Sequence, residues 1–168
     1  MFKTVPTASQ AVRDDAVPAR ALAYVRDTIA LGWEERLKAR ARRTSDAGRE
    51  FATTLPRGTV LRDGDLLIVD DLRVLVAVVE RSEPVLIVRP RSAEECGLFA
   101  YYIGNSHMPM MIEQSQTPPP AQPGSAPVIV CADVLGMEQV LEQYRIPFER
   151  GERPFTPVSG MADHRHRG

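Results

Sequence analysis

The chain has 168 residues, of which 43% are hydrophobic and 26% charged, and its formal net charge at pH 7 is −1. These proportions are typical of a globular protein and exclude a chain that is disordered throughout. The near-zero net charge offers no strong field for nucleic acid or for an acidic membrane. No stretch of about 18 uncharged apolar residues is present, and the N-terminus lacks the apolar segment of a signal peptide. We therefore expect a cytoplasmic protein that binds neither nucleic acid nor membrane.

The first half of the sequence predicts β structure. Residues 1 to about 25 show little regular pattern, whereas residues 27–33 alternate apolar and polar side chains as a strand does. Short apolar runs at 66–69 and 74–79 lie between turn sequences rich in glycine, proline and aspartate. Strands and turns this close together indicate a small antiparallel sandwich or barrel.

One cluster of basic residues stands out in this half. It comprises Arg36, Lys38, Arg40, Arg42 and Arg43. The charged composition of this segment suggests a helix. However, apolar side chains alternate with most of the basic residues at period two, so a half-buried strand fits equally well. We interpret the cluster as the solvated face of a strand and keep a docking face for an acidic protein or RNA as the alternative.

After residue 84 the pattern changes to strands that alternate with helices. Residues 85–89 predict a strand, and Ser92 followed three residues later by Glu95 is typical of a capping box that begins a helix. The helix is expected to end at Gly104 and Asn105, which both tolerate the left-handed conformation of a helix end.

Two strands, a helix and a final strand complete this half. Residues 110–113 and 127–131 predict the strands, Asp133 is expected to cap the helix, and residues 146–149 extend again. The order strand, helix, strand, strand, helix, strand is that of a ferredoxin-like fold.

The predicted fold class is therefore α+β, in three regions. They are an N-terminal β domain at 1–84, a ferredoxin-like domain at 85–157 and a flexible histidine-containing tail at 158–168.

Histidine is rare in this sequence, and its placement indicates metal binding. There are three histidines: His107 follows the first predicted helix, and His164 and His166 lie close to the C-terminus. Imidazole is the commonest neutral ligand for nickel, copper and zinc. The pattern around His107 also fits a helix C-terminus, where histidine interacts favourably with the helix dipole, and the two interpretations are compatible.

The cysteines, the methionines and the absence of catalytic motifs argue against a disulfide scaffold, a sulfur-based metal site and an enzyme. Cys96 and Cys131 are too few and too far apart for a disulfide scaffold or a zinc knuckle, so we expect reduced, partly buried thiols. Met108, Met110 and Met111 fit apolar packing, with a Cu(I) site as the alternative. No nucleophile with a base at a recognisable spacing, phosphate loop or HExxH motif occurs, so we do not expect an enzyme.

Three stretches of the chain resemble the UreE family of urease accessory proteins. They are Trp33-Glu34-Glu35-Arg36-Leu37 with residues 48–67, the phrase Tyr101-Tyr102-Ile103-Gly104-Asn105-Ser106-His107-Met108-Pro109 followed by Ile112-Glu113, and the tail sequence Asp163-His164-Arg165-His166. The family usually has arginine at the position of Ser106, and many of its members carry longer histidine-rich tails.

The resemblance implies a homodimeric nickel chaperone that binds Ni²⁺ at its dimer interface and delivers it for assembly of the urease metallocentre. It implies that the C-terminal domain forms the dimer, that the N-terminal domain binds partner proteins or peptides, and that the partners are the GTPase UreG and the urease apoprotein complex. The metal ligands it implies are His107, His164 and His166, with Zn²⁺ or Cu²⁺ as substitutes for nickel. The alternative is a metal-independent adaptor in urease maturation, whose β domain binds a partner protein.

Overall fold

The computed structural model describes residues 5–113 and 127–158, and the chain divides into two compact units, Met1–Arg81 and Ser82–Gly168. The structure is mixed α+β, as predicted. The strands of the described residues are β1 (Thr7–Ala8), β2 (Ala11–Val12), β3 (Val25–Leu31), β4 (Arg40–Thr44), β5 (Glu50–Thr54), β6 (Leu66–Val69), β7 (Val74–Glu80), β8 (Ser82–Val88), β9 (Met110–Glu113), β10 (Val128–Ala132) and β11 (Phe148–Pro154). The α-helices are α1 (Trp33–Arg36), α2 (Ala93–Asn105) and α3 (Met137–Gln143). Among the described residues, no helix has the length and apolar character needed to cross a membrane.

The N-terminal unit contains two sheets, with strand orders β1-β5-β4 and β2-β6-β7-β3. Buried side chains from both sheets, Ile29, Phe51 and Val76 among them, form one hydrophobic cluster. A second cluster contains Ile68 of β6 and Leu75 of β7. Because β6 is covered on both faces, all four of its residues are buried, which explains why its sequence is an unbroken apolar run.

The prediction of an antiparallel sandwich or barrel is corrected in this unit. β1 pairs with β5 and β3 pairs with β7 in parallel, whereas β2–β6, β4–β5 and β6–β7 are antiparallel. Neither sheet of the described residues closes into a barrel. β1 and β2 lie within the first 25 residues. The sequence showed no pattern there because strands of two residues are too short to produce a visible alternation.

The basic cluster is divided by the structure. Arg40 and Arg42 are exposed on β4, as predicted, but Arg36 and Arg43 are buried, with 1% and 7% of their surface exposed. Arg36 bonds Glu80 at 2.9 Å, and Arg43 donates to two backbone carbonyl oxygens at 2.9 and 3.0 Å. The interpretation as a solvated face is therefore wrong for these two arginines, which are buried because each has polar partners inside the unit.

The C-terminal unit is a four-stranded antiparallel sheet of order β11-β8-β10-β9, with two helices. Its elements follow one another as strand, helix, strand, strand, helix, strand. Leu86 and Ile129 of the sheet and Phe99 and Leu141 of the helices belong to one buried cluster, so both helices pack on the same face of the sheet.

The second helix of this unit starts later than predicted. The predicted cap, Asp133, is not at the helix start; its N–H donates to the carbonyl oxygen of Pro84 on β8 at 3.2 Å, next to the last paired residue of β10. Helix α3 begins at Met137, after Gly136, whose φ of 94° is suited to glycine. The predicted cap thus continues the pairing of β10 with β8, and the helix begins four residues after it.

Candidate metal site

Helix α2 leads to His107, and its N-terminus is fixed by two local contacts. Ser92 Oγ accepts a hydrogen bond from the backbone N–H of Glu95 at 3.1 Å, as the capping box predicted. The Glu95 carboxylate accepts from the backbone N–H of Arg91 at 2.8 Å, one residue before the cap, and from the Arg91 guanidinium at 2.6 Å. The bonds from Arg91 hold the pKa of Glu95 below its usual value. Buried Phe99 and Ile103 anchor the helix on the sheet.

The C-terminus of α2 sets the backbone of His107. The N–H of His107 donates to the carbonyl oxygen of Gly104, and the N–H of Met108 to that of Ile103, both at 3.1 Å. This pair of bonds is the Schellman motif, whose first residue beyond the cap is left-handed. That residue is His107, with φ of 52°. The prediction that Gly104 and Asn105 supply the left-handed position is wrong, since both are helical.

A signal for this helix end was present in the sequence. Proline is common within about three residues of a helix C-terminus because it cannot continue the helix, and Pro109 lies three residues after the cap, Ser106. Met108 packs against the same cluster to which Ile103 belongs, which supplies the apolar contact that accompanies the motif. His107 is consequently exposed at the surface with a defined backbone, and no side-chain hydrogen bond within residues 5–113 and 127–158 restrains its imidazole.

Helix α3 ends in the same way, at Arg145. The N–H of Arg145 donates to Glu142 O at 3.0 Å, that of Ile146 donates to Leu141 O at 2.9 Å, and the φ of Arg145 is 53°. The left-handed conformation costs a residue with a Cβ roughly 1–2 kcal/mol. Because an arginine occupies the equivalent position of α3, the conformation of His107 is not by itself a mark of function, and Arg145 is a matched control for it.

The side chains that neighbour His107 in sequence mostly pack. Met108 and Met110 lie against the core cluster, as does Tyr102, and Met111 is half-buried in β9. This arrangement favours the apolar interpretation of the methionines over a Cu(I) site.

Large apolar side chains of the same unit remain open to solvent. Leu98 and Tyr101 of α2 are 42% and 69% exposed, and Ile112 of β9 is 50% exposed. Leu98 and Tyr101 are three residues apart and so share one face of the helix.

The structure places one of the three predicted ligands. His164 and His166 lie outside the described residues, as does the neighbouring Asp163. Within the described part of the chain, no three histidine, cysteine, aspartate or glutamate side chains come close enough to hold a metal ion.

The two cysteines differ in environment. Cys131 is buried in β10, and this burial, with a smaller contribution from the charge of Asp133, raises the pKa of its thiol to about 12. Cys96 is half-buried on α2. Because metal ligation requires the thiolate, Cys131 is unsuited to bind metal in the folded protein.

The chain is similar to one protein family and to several proteins that share a name. The model for the UreE urease accessory protein, N-terminal domain, matches residues 9–80. Urease accessory protein UreE of Burkholderia thailandensis is 37% identical over 150 residues, covering 88% of this chain and 64% of the relative. The proteins of that name from Paraburkholderia xenovorans and Burkholderia vietnamiensis are each 36% identical over 83% of this chain, covering 57% and 64% of the relative.

The class defined by these findings is that of an accessory protein and not of an enzyme, as predicted. The chain belongs to the UreE family of urease accessory proteins, which confirms the resemblance seen in the sequence. It spans less than two thirds of the length of these three relatives.

Proposed function

We propose that this protein is a cytoplasmic nickel chaperone that binds Ni²⁺ at a dimer interface and delivers it for assembly of the urease metallocentre. Two findings support the proposal: membership of the urease accessory family, and an exposed imidazole whose backbone is fixed by a helix-capping motif. Nickel is in this case the cargo of the protein. We also propose that the C-terminal unit is the ferredoxin-like metal-binding and dimerisation domain and that the N-terminal unit binds partners.

A dimer solves the problem of too few ligands at one position. One imidazole cannot hold a divalent ion against water, since even zinc sites use three or four protein ligands. A two-fold axis near His107 brings two copies of the same residue together, because such an interface joins the same patch on both subunits. Exposed Leu98 and Tyr101 on α2 provide apolar surface that a second subunit would cover.

Release of the ion depends on ligands that can leave one at a time. We assign this task to His164 and His166, with Asp163 as an oxygen ligand, and we assign the fixed position to His107. Nickel accepts square-planar or octahedral sites of nitrogen and oxygen, which this set provides without thiolate. Zn²⁺ and Cu²⁺ bind the same donors, and the intrinsic affinity order favours Cu²⁺, so the metal available in the cell decides which is carried.

Calorimetric titration of the full chain with Ni²⁺ tests the proposal. We expect one high-affinity ion per dimer, strong loss of affinity in His107→Ala and a smaller loss when residues 163–168 are removed. Arg145→Ala changes the equivalent left-handed position of the other helix and is expected to keep wild-type affinity. Unchanged binding by His107→Ala would disprove the role of this histidine.

The dependence of nickel affinity on pH gives an independent check of imidazole ligation. Because protons compete with the metal for the imidazole nitrogens, nickel affinity is expected to fall as the pH is lowered. A flat profile between about pH 5 and 8 would contradict imidazole ligation and indicate carboxylate ligands.

A second function, an adaptor role for the N-terminal unit, is favoured by the exposed arginines of β4. We propose that this unit binds a partner of the urease maturation machinery, such as the GTPase UreG or the urease apoprotein complex. Pull-down of the GTPase by protein treated with a chelator tests it: retained binding supports a metal-independent adaptor, and strict dependence on nickel excludes one.

A further inference from the structure

The cations of the N-terminal unit are unevenly paired. Carboxylates lie within 3.2 Å of Arg13, Arg20, Arg26, Arg36, Arg49 and Arg81. The exposed cations for which the described residues offer no carboxylate partner are Lys38, Arg40, Arg42, Arg57, Arg62 and Arg73. Three of these are alternate residues on or just before β4, and the guanidinium of Arg73 stacks instead on the ring of Tyr24. Positive charge without a partner is thus concentrated along one strand.

A groove extends this charged strand. It has a volume of about 400 Å³ and is lined by Ala39, Arg40, Leu55 and Arg57. Its walls are therefore two apolar side chains and two guanidinium-bearing ones, a surface that fits an anionic group with an apolar stem.

Strand β4 lies at the edge of its sheet, with β5 as its only neighbour among the described strands. The N–H of Leu55 donates to Ala39 O at 2.9 Å, and the N–H of Ser45 donates to Arg49 O at 3.0 Å. In an antiparallel pair the hydrogen-bonded residues alternate along the strand. The odd-numbered residues from 39 to 45 consequently bond β5, and the even-numbered ones direct their N–H and C=O groups away from it.

Arg40 and Arg42 are two of these even-numbered residues. Each therefore presents at the edge a backbone N–H and C=O that no described strand pairs, and an exposed cationic side chain on the same residue. An open edge is a template for another strand. Two copies of β4 would place arginine opposite arginine, which is unfavourable, whereas a strand with acidic residues at alternate positions would place a carboxylate opposite each arginine.

We propose that β4 binds an extended acidic segment of a partner protein, which adds to the sheet as an antiparallel strand. Its acidic residues occupy alternate positions opposite Arg40 and Arg42, and the segment continues past Lys38 towards Arg57. Antiparallel addition is assigned because it is the more stable pairing per residue. The inference rests on the proposal that the N-terminal unit docks a partner, and it is independent of nickel binding.

The probe is a fluorescent peptide in which glutamate alternates with valine or threonine, titrated with the full-length protein at low ionic strength. The double variant Arg40→Gln with Arg42→Gln is expected to weaken binding about tenfold or more, because two cross-strand charge pairs are lost. The matched control, Arg20→Gln with Arg26→Gln, removes the same charge from ion-paired arginines of the same unit and should change the affinity less than about twofold. If the two double variants weaken peptide binding equally, the assignment of the binding site to β4 is overturned.

N-methylation of the peptide tests the strand pairing itself. In the proposed register the glutamates lie opposite Arg40 and Arg42, so their own N–H groups donate to β4. Methyl groups on the glutamate nitrogens should abolish binding, and methyl groups on the intervening residues should be tolerated. Equal tolerance of both peptides would show binding by charge alone and would refute strand addition.

Two further arms separate this inference from its alternatives. Tighter binding of a single-stranded RNA of equal charge would overturn the choice of an acidic protein segment. If the partner GTPase binds the Arg40→Gln, Arg42→Gln variant as well as it binds the wild type, the inference fails while the proposed docking role of the unit stands. Nickel affinity of this variant is expected to equal that of the wild type.

Discussion

Replacement of His107 by glycine should stabilise the protein while abolishing the proposed nickel site. The left-handed backbone costs a residue with a Cβ roughly 1–2 kcal/mol, a cost that glycine avoids. Glycine also loses more conformational entropy on folding than other residues, which cancels about 0.5–1 kcal/mol of that gain in stability. The midpoints of these two ranges leave an expected net gain of about 0.75 kcal/mol. For units of this size that gain raises Tm by roughly 3–6 °C.

The assay is thermal unfolding of metal-free protein, with wild type and variants compared at the same pH and ionic strength. Arg145→Gly should gain less than His107→Gly, because it also removes a positive charge from the C-terminus of α3. Calorimetry should then show nickel binding lost in His107→Gly and retained in Arg145→Gly. A fall in Tm for His107→Gly would refute the assigned helix end, and intact nickel binding in that variant would refute His107 as the fixed ligand.

Three further predictions concern stability and thiol chemistry. Burial alone raises the pKa of Asp27, but hydrogen bonds, led by that from Ser45, lower this pKa below the ordinary 3.8. The ionised carboxylate therefore stabilises the fold above that pH, and the stabilisation is lost as the pH falls through the pKa of the folded state. The stability deficit of Asp27→Asn, measured by urea unfolding, should accordingly be largest near neutrality and should shrink in acid; a deficit independent of pH would contradict this. Ser92→Ala should cost about 1 kcal/mol through loss of the α2 cap, again measured in urea, and a cost near zero would show that Arg91 and Glu95 suffice. Cys131, whose thiol has a pKa of about 12, should react with a disulfide reagent at pH 8 only when the protein unfolds. If Cys131 reacts in the native protein as fast as the half-buried Cys96, β10 opens readily.

Elements encoded by local patterns were predictable from the sequence. The apolar run at 66–69 and the strand at 110–113 have the predicted bounds, and α2 begins after the predicted cap. In each case the signal lies within a few residues of the element, since side-chain period and capping residues act over one or two turns of chain.

Features that depend on distant residues were not predictable in the same way. The alternation around Arg36 gives no indication of burial, which depends on Glu80, 44 positions away. The parallel pairing of β3 with β7 depends on how the intervening chain returns. The bond from Asp133 to Pro84, 49 positions away, lies outside any local pattern. Each of these partners becomes a neighbour only after the chain has folded.

For the candidate site, the sequence alone identified the family and named His107 as a candidate ligand, because the chemistry of imidazole and the surrounding phrase are both local properties. The tertiary structure alone decided that this histidine occupies the left-handed position of a helix cap and is exposed. It likewise decided that Arg36 and Arg43 turn inward while Arg40 and Arg42 remain on an open edge. Residue identity fixes which chemistry is available, whereas burial and pairing depend on contacts between segments that are far apart in the chain.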